Sequence, residues 1–330
     1  MVRKTPARPF TPDAEQQSLI PRISGNAING LGEDRPRRAR LVYWSPDPGR
    51  IPHGELQRDF YRRSAKDPRF LTSRTARQAI LDAALPPLAE SRVERSPEAW
   101  TAALDPFVTD GHCDKVGVAR MQTDWVFEGQ EIAQTNVIMI GVAHDYSAIS
   151  TAPDATAGLE VMHQYARAAA ASKSIAGWLR QQGWEADALT GPLTGALAMI
   201  PPALACGFGE LGKHGSLITP EFGASFRLSA VLTDAPFAPT SQQDHGIDAF
   251  CRNCRICEVA CPPEAIAPEK QTVRGTEKWY VDFDRCLPYF NETHGCAICI
   301  AVCPWSRPGV GLNLAEKLAR RAERKAQTDP

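Results

Sequence analysis

The sequence predicts an α+β fold in two parts: a mixed helix-and-strand body over residues 76–245, then a small cysteine-rich module over residues 246–310. Three observations predict it. Asn136 to Ala143, reading NVIMIGVA, is a short continuous apolar run of the kind that forms a buried strand. Gly158 to Gln182 is Ala-rich and made of good helix formers, and Gly183 after it suits a helix C-terminal cap. Eight of the ten cysteines crowd into residues 251–303.

Taken in order, residues 1–75 are rich in Arg, Pro and Asp with weak periodicity, as in Arg35-Pro36-Arg37-Arg38 and Ser45-Pro46-Asp47-Pro48-Gly49. They read as an extended arm over a larger body, its basic clusters as a solvated face. The body follows, with the run at 136–143 as a strand and the long helix carrying Tyr165. Beyond the helix, residues 207–215 place Gly207, Gly209, Gly212 and Gly215 within nine positions. A tight connection needs one or two glycines, so four point to backbone closely approached by a large flat cofactor. The spacing matches neither a phosphate loop nor a dinucleotide fingerprint. Phe226 to Leu232 is strand-like, and the apolar flanks of Arg227, Phe226, Leu228 and Val231, suggest a strand with one buried face. Residues 311–330 place Leu312, Leu314, Ala315 and Leu318 near Lys317, Arg320, Arg321, Arg324 and Lys325, an amphipathic terminal helix or a frayed basic tail.

Composition narrows the function. With 330 residues, 43% hydrophobic and 23% charged, the chain is globular. A net charge of -1 supplies no positive field for nucleic acid. Mean hydropathy is -0.30, and no apolar run reaches the roughly 18–20 residues that span a membrane. Met1 to Gly30 lacks the apolar stretch of a secretory signal, and neither Arg37-Arg38 nor Arg62-Arg63 precedes one, so a cytoplasmic location is expected.

In a reducing compartment the cysteines are expected to ligate metal. Cys251-x2-Cys254-x2-Cys257-x3-Cys261-Pro262 is the bacterial ferredoxin run, in which three thiolates hold one four-iron cubane and the fourth ligates its neighbour. Cys296-x2-Cys299-x3-Cys303-Pro304 repeats the last three positions, with Thr293 where the first cysteine would stand. Cys286 is the spare thiol nearby, so a loop insertion is inferred to have moved the first ligand upstream. By the crossing rule, Cys251, Cys254, Cys257 and Cys303 serve one [4Fe-4S] cluster, and Cys261, Cys286, Cys296 and Cys299 the other. Paired zinc sites are the alternative, but this spacing is not that of zinc fingers. Cys113 and Cys206 stand apart as apolar fillers.

Several stretches together resemble a known family. Gly209 to Gly223 (GELGKHGSLITPEFG), Arg227 to Asp234-Ala235-Pro236, Asp145-Tyr146 to Pro153, and the two cysteine groups separated by Trp279-Tyr280-Val281-Asp282 are similar, in the same order, to the catalytic subunit of corrinoid-dependent reductive dehalogenases. The resemblance covers roughly residues 115–310. It implies a nitroreductase-like corrinoid-binding domain followed by a ferredoxin-like double [4Fe-4S] domain, with base-off cobalamin between them. Electrons would pass along the clusters to cobalt, and an organohalide would take two electrons and one proton to give C–H and halide. Tyr165 matches the family's proton donor, and Arg227 the basic residue that assists it. A guanidinium favours phenolate, which eases proton release. The resemblance also implies corrinoid contacts from Gly209, Glu210, Gly212, Lys213, His214 and Gly215, and an external ferredoxin or reductase as electron donor.

Two departures bear on the substrate. Gly191-Pro192-Leu193-Thr194-Gly195 replaces the family's polar stretch, and Gln164 and Ala166 flank Tyr165 where Gly and Ser are usual. The rival reading is an epoxyqueuosine reductase acting on a tRNA base, which would use an aspartate as proton donor and usually carries a helical-repeat extension. An iron–sulfur electron-transfer subunit without corrinoid is a further alternative, as is a corrinoid protein that dehalogenates nothing.

Overall fold

The computed structural model describes residues 10–328 apart from residue 194. Thr194, the side chain of Lys325 and the first nine residues of the expected arm therefore lie outside the described residues.

The segment expected to be extended contains four helices, α1 (Ala14–Leu19), α2 (Gly25–Asn29), α3 (Gly54–Ser64) and α4 (Pro68–Asp82). Asp13, Ser24 and Asp67 cap three of them through side-chain oxygens that accept backbone N–H groups, the usual N-terminal device. Short lengths hide these helices from periodicity, and α4 runs through position 75. The segment is also bound to the cysteine-rich module. Gln16, fully buried, donates to the Pro288 carbonyl (3.0 Å) and the Glu292 carboxylate (2.7 Å). The Tyr43 hydroxyl donates to Asn291 Oδ1 (2.5 Å), whose amide donates to the Leu56 carbonyl (2.9 Å).

The body adds α5 (Pro97–Ala102) and α6 (Asp105–Thr109), then β1 (Lys115–Arg120) and β2 (Asn136–Ala143). Next come α7 (Tyr146–Ile149), the long α8 (Ala155–Gln181), β3 (Ala186–Leu189) and α9 (Ile200–Ala205). A small hairpin of β4 (Glu210–Leu211) and β5 (Leu217–Ile218) precedes β6 (Phe226–Thr233). The main sheet is antiparallel in the order β1-β2-β6-β3.

The unbroken apolar run of β2 has a direct cause: both faces of the strand are covered. Ile138, Ile140 and Val142 pack with Ala168, Ala171, Ile175 and Leu179 of α8, while Val137 and Met139 face the opposite cluster around Phe208, Leu217 and Ala203. Each such buried side chain contributes about 1.5–3 kcal/mol over exposure. The alanines of α8 allow the helix to lie close to the sheet, and Ser229 Oγ ties β6 to it by donating to the Ala168 carbonyl (2.8 Å). The helix starts three residues before the expected Gly158 and ends at Gln181, with Gly183 in the left-handed region at φ +81°. Tyr165 consequently lies about three turns in.

The cysteine-rich module comprises α10 (Ile247–Asn253), α11 (Ile256–Ala260), the β7 (Gln271–Val273) and β8 (Thr276–Lys278) hairpin, α12 (Phe283–Glu292), α13 (Ile298–Val302) and α14 (Val310–Thr328). Leu314, Ala315 and Leu318 of α14 pack against it, so the C-terminal stretch is an amphipathic helix and not a frayed tail. No helix among the described residues is long and apolar enough to cross a membrane.

Candidate active site

The eight clustered thiols divide into two groups of four. Cys251, Cys254, Cys257 and Cys303 surround a small enclosed cavity with Lys213, Phe250 and Trp305. Cys261, Cys286, Cys296 and Cys299 lie together on the wall of a much larger cavity of about 700 Å³. Cys261 and Cys303 each cap the C-terminus of a short helix, α11 or α13, and each thiol lies with the group formed by the other cysteine run. Thr293 lies beside the second group, its hydroxyl within hydrogen-bond reach of the Cys296 side chain and of the Tyr289 carbonyl (2.6 Å).

Burial raises several of these thiols. Cys257 is pushed up to about 12, the nearby Cys303, Cys251 and Cys254 adding to the effect of burial. Cys286 reaches about 12 for the same reason, beside Cys296 and Cys261. Packed, desolvated thiols without a cation are costly to ionise, and a metal group that binds thiolate reverses that cost. Bonds of about 2.3 Å to one tetrahedral zinc would bring sulfurs within about 4 Å of one another. Among the described residues, no three Cys, His, Asp or Glu side chains converge on one ion in this way.

Lys213 and His214 lie between the module and the body. Lys213 is 2% exposed, with Nζ 3.7 Å from Glu258 Oε2 and 5.2 Å from the Trp279 ring centre. His214 borders both cavities. Its Nδ1 accepts the Ser216 N–H (3.2 Å), which assigns the proton to Nε2, and that buried N–H has no protein acceptor. Burial lowers its pKa to about 4, so the ring is neutral near pH 7. A buried donor without an acceptor, on the wall of a cavity this large, fits a bound cofactor carrying acceptor groups.

The other glycine-rich positions have different tasks. Gly209 sits at φ +125°, and a Cβ there would lie 1.9 Å from the Ile218 carbonyl oxygen, so the β4–β5 hairpin itself requires glycine. A Cβ on Gly212 would strike the Ile218 side chain, whereas Gly215 is on the cavity wall. Glu210 points to the module: its carboxylate accepts the backbone N–H groups of His245, Ile247 and Asp248 (2.8–3.2 Å), fixing the start of α10. Gly209, Glu210 and Gly212, expected with the others at a cofactor, make these internal contacts and do not border the large cavity, whereas His214 and Gly215 do.

Tyr165 and Arg227 are brought together by α8 and β6. The Arg227 guanidinium lies 5.3 Å from the centre of the Tyr165 ring, and Arg227 is shared by the large cavity and two adjoining ones of about 360 Å³ each. Arg227 is anchored by a residue that sequence reading did not single out. His144, just past the end of β2 and 8% exposed, accepts from Arg227 Nε at Nε2 (3.0 Å), while its Nδ1 meets Ser225 Oγ (3.2 Å). Burial and the Arg227 charge hold His144 well below the ordinary histidine value, so the acceptor nitrogen stays unprotonated at neutral pH. The only sequence signal was a polar residue closing an otherwise apolar strand. Gly191, Pro192 and Leu193 border the two smaller cavities, so this departure from the family pattern lies beside Tyr165.

Cys113 and Cys206 are buried in separate apolar clusters, their Sγ atoms near the Phe107 and Ala203 carbonyls at 3.6 and 3.5 Å. Replacing either with Ala is expected to leave iron content unchanged, as metal analysis would check.

Comparison with known proteins places the chain. A 4Fe-4S dicluster domain family matches residues 250–306. The tetrachloroethene reductive dehalogenase of Desulfitobacterium hafniense is 34% identical over 218 residues, covering 62% of this chain and 39% of that one. Over that stretch the chain is similar to the reductive dehalogenases. The tetrachloroethene reductive dehalogenase of Sulfurospirillum multivorans is 30% identical over 187 residues, covering 54% of this chain and 37% of that relative. The chain thus spans about two-fifths of the length of these relatives. Among solved structures, a catabolic reductive dehalogenase superposes with a TM-score of 0.74 at 23% identity, over 92% of this chain and 48% of that one, which establishes the shared fold. An epoxyqueuosine reductase of Cellulophaga algicola is 29% identical over 118 residues, covering 31% of this chain and 34% of that protein.

Proposed function

We propose that this chain is the corrinoid- and cluster-bearing part of a reductive dehalogenase, in which an organohalide takes up two electrons and one proton and releases halide. The observation that carries the reading is the stacking of Arg227 on Tyr165 at a wall common to three cavities, the largest of them also lined by four thiols of the cysteine-rich module. Residues 76–245 form the nitroreductase-like corrinoid domain, and residues 246–310 hold two [4Fe-4S] clusters through the two groups of cysteines.

The cavity of about 700 Å³ between His214 and Arg227 is where the corrinoid face of a base-off cobalamin would lie, and His214 Nε2 is a donor there without a protein acceptor. When bound, the corrinoid supplies the low-potential electron pair that expels halide. The chain's own residues do the remaining work. Tyr165 O–H delivers the proton to carbon. Arg227, with its Nε held by neutral His144, places a fixed positive charge against the ring face, where it favours the phenolate left behind. Apolar walls of Leu197, Phe226 and Ile300 keep bulk water from competing for that proton.

Electrons enter from an external ferredoxin or reductase. Ile256 and Val259, 43% and 59% exposed, flank Cys257 of the first thiol group and present apolar surface for such a partner. The second group, on the wall of the large cavity, is the inner station. The epoxyqueuosine reductase reading has less support, since that relative matches under a third of the chain.

The test is metal analysis with an absorption spectrum, on protein expressed without oxygen and supplied with cobalamin. About eight irons and one cobalt per chain are expected from two four-iron clusters and one corrinoid. Iron without cobalt would overturn the proposal in favour of an electron-transfer subunit.

A further inference from the structure

We infer that Lys213 sets the reduction potential of the first four-iron cluster, its buried ammonium favouring the reduced form so that this cluster is filled before the second. The inference deepens the proposed function and rests on the two clusters assigned there. Lys213, expected among the corrinoid contacts, borders the small cavity that Cys251, Cys254, Cys257 and Cys303 surround and does not border the large one. Its backbone N–H is within hydrogen-bond reach of the Cys251 sulfur, so main chain and side chain both serve the first group.

The ammonium is held in place without being neutralised. Lys213 is 2% exposed, and its Nζ lies 3.7 Å from Glu258 Oε2, longer than a hydrogen bond. It also lies 5.2 Å from the centre of the Trp279 ring, whose Nε1–H donates to Asp248 Oδ1 (2.8 Å) and so stays fixed. An indole attracts a cation without cancelling its charge. Glu258 is shared, because Arg255 Nη2 donates to its other oxygen (2.7 Å). Asp248 likewise faces both Lys270 (2.8 Å) and Arg252 (3.1 Å). Four cations thus meet two carboxylates beside the first group. The side chains of Arg252 and Arg255 are 64% and 69% exposed, so water and salt screen them, whereas Lys213 is shielded from both.

A four-iron cluster held by thiolates is an anion, and an added electron makes it more negative. A cation fixed beside it in a poorly screened site stabilises the reduced form more than the oxidised one, which raises the potential. At the second group the charge near Cys286 is of the opposite sign: Asp282, an anion paired at 3.6 Å with the exposed Arg285. The asymmetry favours the first cluster as the site where an arriving electron rests, on the side where Ile256 and Val259 are exposed.

The test is a redox titration of the anaerobically purified protein with dithionite, followed by electron paramagnetic resonance, with iron per chain recorded. The wild type is expected to show two one-electron midpoints. In Lys213→Gln the higher one is expected to fall, through a roughly 10- to 100-fold change in the reduction equilibrium, or about 60–120 mV at 59 mV per tenfold, with iron content retained and the lower midpoint nearly unmoved. Glu258→Gln removes the facing anion and is expected to shift the same midpoint upward. Lys213→Arg keeps the charge and should stay near the wild-type value. The sign separates charge from packing, since a change that only loosened the pocket and admitted water would stabilise the more charged reduced form and raise the potential. A higher midpoint unmoved or raised in Lys213→Gln at full iron would overturn the inference, as would movement of the lower midpoint instead. If Lys213→Gln lost iron, a rise in the Glu258→Gln midpoint would support the inference and its absence would overturn it. A wild type without two reducible clusters would overturn the proposed function, and the inference with it.

Discussion

Tyr165→Phe is expected to lower halide release by about two to four orders of magnitude, the range spanned by loss of a positioned acid, while iron and cobalt content stay at wild-type levels. That corresponds to about 3–5 kcal/mol of transition-state stabilisation. The size follows from the site. Tyr165 presents its ring to the Arg227 guanidinium at 5.3 Å, and Phe keeps the ring while removing the only proton that residue can deliver. The helix has no reason to unfold, since the change removes one oxygen from a half-buried position. A fall in kcat with little change in KM would mark an interaction made in the transition state. Unchanged turnover would take the role of proton donor away from Tyr165.

Cys286→Ser is expected to cost about four of eight irons, one cluster's worth. Cys286 lies on α12, and the thiols of Cys296 and Cys261 are its neighbours. Serine fills nearly the same space, so a loss of iron would report ligation and not packing. Its hydroxyl is a far poorer ligand than a thiolate for iron–sulfur clusters. Thr293→Val is the control and should keep all its iron, because a neutral hydroxyl beside Cys296 and the Tyr289 carbonyl is a poor ligand for an iron–sulfur cluster. Full iron in Cys286→Ser would require a different fourth ligand for the second cluster.

The two predictions draw on the sequence to different extents. The thiol groups are legible in the order of residues itself, because ligand spacing within a few residues is set by covalent geometry and short helices. The strand at 136–143 is legible for a related reason: a run apolar at every position has to be covered on both faces, as β2 is by α8 and by the Phe208 cluster. Tyr165 and Arg227 are legible only through resemblance, since a helix tyrosine and a strand arginine carry no local mark of chemistry.

Other parts are not legible at all. His144 holds Arg227 from 83 positions away, a contact created when β2 and β6 pair as neighbours despite their separation in the chain. Glu210 was expected at a cofactor and instead caps α10 from 35 positions away or more. The first 75 residues offer only weak periodicity, yet their helices hold α12 in place and bring Arg74 to the cavity.

The sequence alone determined which side chains can hold clusters, and where the central strand and long helix run, because those properties are fixed by neighbours a few residues apart. The tertiary structure decided which distant groups meet in the cavity over Tyr165, because sheet order and helix packing set those encounters and leave no local trace in the chain.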